Sequence, residues 1–198
     1  MNGSSRAVVL AFVAATAAAC ASHGNSDSET TASVCPFSGI HDAVASVAPV
    51  GGKGDVRGWV RFTQEGDGVR VTAEISGFKP NTKHAFHIHE WGDATCADGK
   101  CAGGHWDPDH AEVHGSPDSE KHHAGDLGNL EADAKGVARL DRVFHGISVS
   151  GDHDPVLGRA VIVHAGEDDF KTQPSGTTGD GATRVACGVI GIAKPGGK

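Results

Sequence analysis

The sequence predicts an all-β domain, a sandwich or barrel of short strands. Three observations lead there. Glycine fills 29 of 198 positions, about twice the usual share of roughly 7%, and that load penalises long helices. Apolar residues recur in short runs with a period of two. Neither an internal repeat nor a helical heptad competes with them. At 38% hydrophobic, the chain can build one core with segments to spare.

The N-terminus stands apart from that domain. Arg6 precedes an apolar run from Ala7 to Ala19, after which comes Cys20. A cationic start, an apolar stretch and small residues predict a secretory signal peptide over 1–19. A cysteine directly after Ala17-Ala18-Ala19 resembles the bacterial lipoprotein signal, in which Cys20 is lipidated and becomes the first mature residue; the alternative is an ordinary signal peptide with an incidental cysteine. Export across the inner membrane to the periplasm or cell envelope is the expected destination, with membrane contact only through that lipid. Residues 20–40 are Ser/Thr-rich with little to bury, a flexible tether. No apolar run reaches the roughly 18 residues that a permanent membrane helix needs. The formal net charge of −8 argues against a nucleic-acid binder, which needs a basic patch. Beyond Cys20, the chain holds Cys35, Cys96, Cys101 and Cys187. An even number in an oxidising compartment makes two disulfides plausible, with three pairings open.

The main domain spans 41–198. Gly58 to Gln64 is followed by the turn Glu65-Gly-Asp-Gly68 and then by Val69 to Ile75. In the second run Val69, Val71, Ala73 and Ile75 point one way, while Arg70, Thr72 and Glu74 point the other. That is a β-hairpin with one buried face. Further strand-like runs are His84–Glu90, Gly136–Phe144 and Ala160–His164. Between them lie Gly/Asp/His-rich stretches, 91–127 and 165–183. Loops of such length are uncommon in a compact domain unless something ties them down, and metal ions and a disulfide are the obvious ties.

The 13 histidines are the strongest chemical signal. His87 and His89 are two apart in a strand, so both project from one face, close enough to share a metal ion. His105, His114, His123 and Asp126 follow in one loop, and His164 ends a later strand. Imidazoles with a carboxylate suit zinc or copper.

Six segments then occur in a familiar order: His87-Ile-His-Glu-Trp-Gly-Asp, Ala102-Gly-Gly-His-Trp-Asp-Pro, His114-Gly-Ser-Pro, His123-Ala-Gly-Asp-Leu-Gly-Asn, Gly158-Arg-Ala-Val-Ile-Val-His and Arg184-Val-Ala-Cys-Gly-Val-Ile-Gly-Ile-Ala. From about His41 to Ala193 the chain resembles the copper/zinc superoxide dismutases. The resemblance implies an eight-stranded Greek-key β-sandwich or barrel, immunoglobulin-like, with long metal-binding and electrostatic loops. It implies one copper per chain on His87, His89, His105 and His164, and one zinc on His105, His114, His123 and Asp126, with His105 bridging the two. Asp168 matches the carboxylate that joins a copper histidine to a zinc histidine, and Arg184 matches the arginine that attracts superoxide. The implied activity is disproportionation of superoxide to oxygen and hydrogen peroxide, with His105 leaving the copper and taking a proton during turnover. The implied role is antioxidant defence outside the cytoplasm.

The chain departs from the family in places. One extra residue separates His105 from His114 relative to the common animal pattern, and His110 and His122 sit nearby. His114-Gly-Ser-Pro and the step to His123 favour His114, and the following Ala-Gly-Asp favours His123. The remaining histidines, including His84, match no ligand position. Cys187 matches half of the family's disulfide; Cys96 is the favoured partner because Cys101 stands where the family usually has Ser. Cys101 is then left for Cys35 or as a free thiol. The loop between His164 and Arg184 is short and lacks the lysine usual before Thr178, although Lys171 lies earlier. The C-terminal run resembles dimeric animal forms, while bacterial relatives also occur as monomers, so a homodimer stays open.

Overall fold

In the computed structural model, residues 39–111, 113–151, 153–176 and 182–194 are described. The signal peptide, Cys20, Cys35, Thr178 and nearly all of the tether lie outside them. Eight strands form the domain: β1 (Asp42–Pro49), β2 (Arg57–Glu65), β3 (Gly68–Ser76), β4 (Lys83–His89), β5 (Asp126–Glu131), β6 (Val137–His145), β7 (Ala160–His164) and β8 (Arg184–Ile192). Two short 3-10 turns, Val50–Gly52 and Lys100–Ala102, accompany the strands.

All strand pairs are antiparallel, in the order β5-β4-β7-β8-β1-β2-β3-β6. The outer strands β5 and β6 approach each other, so the sheet is a nearly closed barrel. Across that closure the order reads β7-β4-β5-β6, three consecutive strands with the fourth returning beside the first, which is a Greek key. The predicted hairpin is present: β2 and β3 pair from Arg57↔Ser76 to Glu65↔Gly68 around Gly66-Asp67, with Gly66 at a φ of 61°. Val69, Val71 and Ile75 are fully buried and Ala73 nearly so, as their alternation requires. Phe62, Phe86 and Ile88 fill the barrel from other strands.

Two strands break that one-faced pattern. In β4 every residue from His84 to His89 is buried, and in β7 every residue is. Phe86, Ile88, Val161 and Val163 point into the barrel, while His87, His89, Ala160 and Ile162 lie on the outer face. The long loops cover that outer face, which is where the histidines project.

Candidate metal centre

Local backbone features aim each histidine. His87 pairs with Ile162 and His89 with Ala160 across β4 and β7. A register shift in β4 between Ala85 and His87 sets His87 against Asp126 of β5. A second shift, between Val163 and His164, sets His164 opposite Arg184 of β8. Such bulges re-aim side chains, and they flank functional sites often. The loop after β4 returns as an extra rung: His105 bridges to His89, and the Trp106 N–H donates to the Ile88 carbonyl at 3.0 Å. Gly125 closes the layer because a Cβ there would lie 2.3 Å from the Ile88 oxygen.

His87, His89, His105 and His164 bring one ring nitrogen each within 4.8 Å of the others. In each ring one nitrogen has a hydrogen-bond partner. His87 Nε2 donates to Asp168 Oδ2 at 2.7 Å, His89 Nδ1 to the Gly103 carbonyl at 2.9 Å, and His164 Nδ1 to the Ala182 carbonyl at 3.2 Å. His105 Nδ1 faces Asp126 at 2.8 Å. The other nitrogens, His87 Nδ1 and Nε2 of His89, His105 and His164, are buried without a partner. Buried polar atoms normally have partners, so four orphans converging on one point are a fitted set for a metal that prefers imidazole. The groups holding the opposite nitrogens fix tautomer and ring orientation. Burial lowers the pKa of all four imidazoles, His105 to about 4 and His164 to about 3, so all are neutral donors at neutral pH.

Asp126 organises a second group. Its Oδ1 faces Nδ1 of His105 at 2.8 Å, of His114 at 3.0 Å and of His123 at 3.4 Å. Its Oδ2 accepts the backbone N–H groups of His123 and Gly115. His87 also comes within 4.8 Å of His105, His114 and Asp126, because its ring lies 3.9 Å from that of His105. Its Nε2 is committed to Asp168, whereas His123 Nδ1 is an orphan, so His123 is the better fourth donor. Three imidazoles and a carboxylate make a closed, zinc-type site, with His105 common to both groups. Burial favours neutral forms here, but the three histidines hold the Asp126 carboxyl well below its usual range. Burial also opposes protonation of His114, yet its bonds to Asp126 and Asp168 outweigh that and raise its pKa to about 9.

Asp168 joins the groups as expected, accepting from His87 on Oδ2 and from His114 Nε2 on Oδ1 at 2.8 Å. Arg184 is fixed by two carbonyls, donating from Nη1 to Gly99 at 2.7 Å and from Nη2 to Gly103 at 2.6 Å. With His89, His105 and His164 it lines a cleft of about 940 Å³. Lys53 and Lys100 line the same cleft, alongside Asp55, Asp98 and Asp107.

Sequence reasoning missed several supporting residues. His84 bonds to the His164 carbonyl through Nδ1 and to the Thr82 hydroxyl through Nε2, both at 2.9 Å, and stacks on Phe78. Asn129 accepts the Asp168 N–H and donates to the Asp168 carbonyl. Only its place three residues after Asp126 could have flagged it. His41, His110, His145 and His153 are exposed.

The disulfide differs from the expectation. The structure pairs Cys96 with Cys101, not with Cys187, and Cys101 therefore has no bond for Cys35. The 96–102 segment coils through the Lys100–Ala102 turn, which brings the two Cα atoms to 5.5 Å, inside the usual disulfide range. Cys187 is a buried free thiol, packed with Ala102, Ala160 and Ile162, and burial pushes its pKa up.

Comparison with known proteins accords with this geometry. The family described as copper/zinc superoxide dismutase matches residues 56–190. A Cu-Zn superoxide dismutase of Paramecium bursaria Chlorella virus 1 is 43% identical over 147 residues, covering 72% of this chain and 76% of the relative. Those of Candida albicans and Neurospora crassa are 41% and 42% identical over 158 residues, covering 76% of this chain and 99% of each relative. The crystal structure of the clock protein EA4 superposes with a TM-score of 0.69 at 37% identity, covering 79% of this chain and 98% of that one. Barrel, paired donor groups and family match agree: the chain belongs to the copper/zinc superoxide dismutase family.

Proposed function

We propose that the chain disproportionates superoxide to oxygen and hydrogen peroxide. It holds one copper on His87, His89, His105 and His164, and one zinc on His105, His114, His123 and Asp126. The observation that carries this reading is the convergence of four buried, partnerless imidazole nitrogens beside a fixed guanidinium in an open cleft. Bound copper supplies one-electron redox chemistry and bound zinc a fixed positive charge. The chain's own residues supply the rest. Arg184, tied by its two carbonyl contacts, presents a planar cation to an entering anion. His105 Nε2, buried without a hydrogen-bond partner of its own, is the ring atom that would carry a proton to product. Lys53 and Lys100 share the cleft with three aspartates, so attraction concentrates at Arg184 instead of over the whole mouth.

Arg184→Ala separates an enzyme from a metal buffer on the same fold, since a cation does nothing to hold Cu(II) or Zn(II). The variant should keep both metals and lose one to two orders of magnitude in kcat/KM, roughly 1.4–2.8 kcal/mol of transition-state stabilisation. Arg184→Lys should recover part of the loss, and the wild-type rate should fall with salt more steeply than that of Arg184→Ala. A fully metallated Arg184→Ala as fast as wild type would remove the arginine from the mechanism.

The N-terminal pattern supports export and a lipid anchor at Cys20, and so a role against superoxide arising outside the cytoplasm; an intact mass without diacylglycerol on Cys20 rejects the anchor. Trp91, Val189 and Ile192 are large, apolar and exposed, which favours a homodimer, and sedimentation velocity decides it.

A further inference from the structure

One amide side chain outside both donor sets holds a zinc-site residue by its backbone. The Gln173 carboxamide accepts the His114 N–H through Oε1 at 2.8 Å, while its Nε2 donates to the His114 carbonyl at 3.0 Å and, more weakly, to the Lys171 carbonyl at 3.4 Å. Both peptide groups of His114 are thus read by one side chain, 59 residues away in sequence. The residues directly after it, Pro174 and Ser175, line the cleft that contains His89, His105, His164 and Arg184. We propose that Gln173 is a positioning residue that couples the zinc ligand His114 to the wall of the copper cleft.

The surrounding contacts make this coupling direct. The His114 ring already meets the same loop through Asp168 at 2.8 Å. With Gln173 on the backbone and Asp168 on the ring, His114 is held at both ends by one segment, 168–176. Gly176 closes that segment over the contact: its φ is +68°, and a Cβ there would lie 2.0 Å from Asp168 Oδ1 and 2.4 Å from His114 Nε2. Its N–H donates to Thr172, and its carbonyl accepts from Asp169. Hydrogen bonds within 168–176 set the shape of the loop, and others tie it to His114 and Asp168. Fixing His114 fixes the wall, and fixing the wall aims His114 Nδ1 at Asp126.

The inference rests on the proposed zinc set, and its test reads zinc, not turnover. The holoprotein is challenged with a chromogenic chelator to give the zinc release rate, and a second sample carries cobalt(II) in place of zinc for its ligand-field spectrum. Substitutions behind a metal ligand typically cost 10–100-fold in metal affinity. Gln173→Met, which keeps the volume and removes both bonds to His114 together with the one to Lys171, should release zinc at least tenfold faster and alter the cobalt spectrum. Gln173→Glu, which keeps the acceptor for the His114 N–H, should fall between Gln173→Met and wild type. A merely structural role would lower the melting temperature of Gln173→Met and leave the cobalt spectrum as in wild type. That outcome, or wild-type zinc release in both variants, overturns the coupling. Wild-type protein that takes up no zinc would instead overturn the zinc assignment on which the inference rests.

Discussion

The two walls of the barrel are built on opposite principles. On the wall of β2, β3 and β6, inward residues are apolar and outward residues meet water. Arg70 pairs with Glu65 at 2.7 Å and Asp141 at 2.6 Å, and Arg139 pairs with Glu74 at 3.0 Å, all at exposed positions. Exposed pairs of this kind contribute little to stability, so this wall rests on its buried face. On the wall of β4 and β7 both faces are buried, and the outer one carries histidines, which need polar partners in place of water. The loops provide those partners on one side of each ring and leave the other side for metal. The same strand geometry thus yields an oil-stabilised wall and a polar wall whose last contacts are ions.

The sharpest way to break this comparison is to remove the residue common to both donor groups. His105→Ala should lose copper and zinc together and abolish activity. His164→Ala should lose copper and activity while keeping zinc near one equivalent, because His164 has no contact with Asp126 or His114. Atomic absorption on both purified variants decides it. Equal zinc loss in the two would break the bridging assignment.

A core residue of the water-facing wall should show the opposite profile. Phe62 is fully buried. Phe62→Ala should cost about 3–5 kcal/mol by denaturant titration, from lost transfer energy and the cavity left behind. Its folded fraction should still bind both metals with wild-type stoichiometry. Reduced metal content in the folded Phe62→Ala protein would show that the walls are not separable.

The two walls also differ in how far the sequence reveals them. The hairpin of β2 and β3 is legible because its alternation is clean and its turn holds two glycines. β1 and β5 give weaker signals: Asp42–Pro49 alternates mostly small residues, and Asp126–Glu131 is six residues with a glycine inside. The metal donors are legible by type and spacing, and all seven converge. Their supports are not. Gly99 and Gly103 hold Arg184 through backbone carbonyls, which leave no trace in residue identity. His84, Asn129 and Gln173 act through long-range hydrogen bonds that no periodicity announces. The disulfide expectation failed for a related reason, since the coil of the 96–102 segment depends on a turn whose two flanking glycines, Gly99 and Gly103, have φ of 71° and 77°.

The smallest expected effect is a pH dependence that belongs to the polar wall alone, best seen in protein stripped of metal by a chelator. Burial holds His105 at about 4 and His164 at about 3, below the ordinary 6.5. Unfolding then takes up protons below pH 6.5, so their contribution is complete above that pH and is lost as pH falls toward 4 and then 3. Asp126 and Asp168, held below 3.8 by their histidine partners in spite of burial, act in the same direction at lower pH. His114 acts in the other. Burial opposes its protonation, but Asp126 and Asp168 raise it to about 9, so its contribution is complete below 6.5 and is lost as pH rises through 9. Melting temperature of the stripped protein should therefore peak near neutrality and fall on both sides. The alkaline limb should approach one proton, a slope of about 1.4 kcal/mol per pH unit. Zinc should abolish that limb, since a coordinated His114 no longer exchanges a proton in this range. Phe62→Ala should lower the whole curve without changing its shape, whereas His114→Gln should flatten the alkaline side and also weaken the acid limb that Asp126 and Asp168 contribute. A stripped wild-type protein whose melting temperature is level from about pH 6.5 to 9.5 would show that His114 is not held between the two carboxylates.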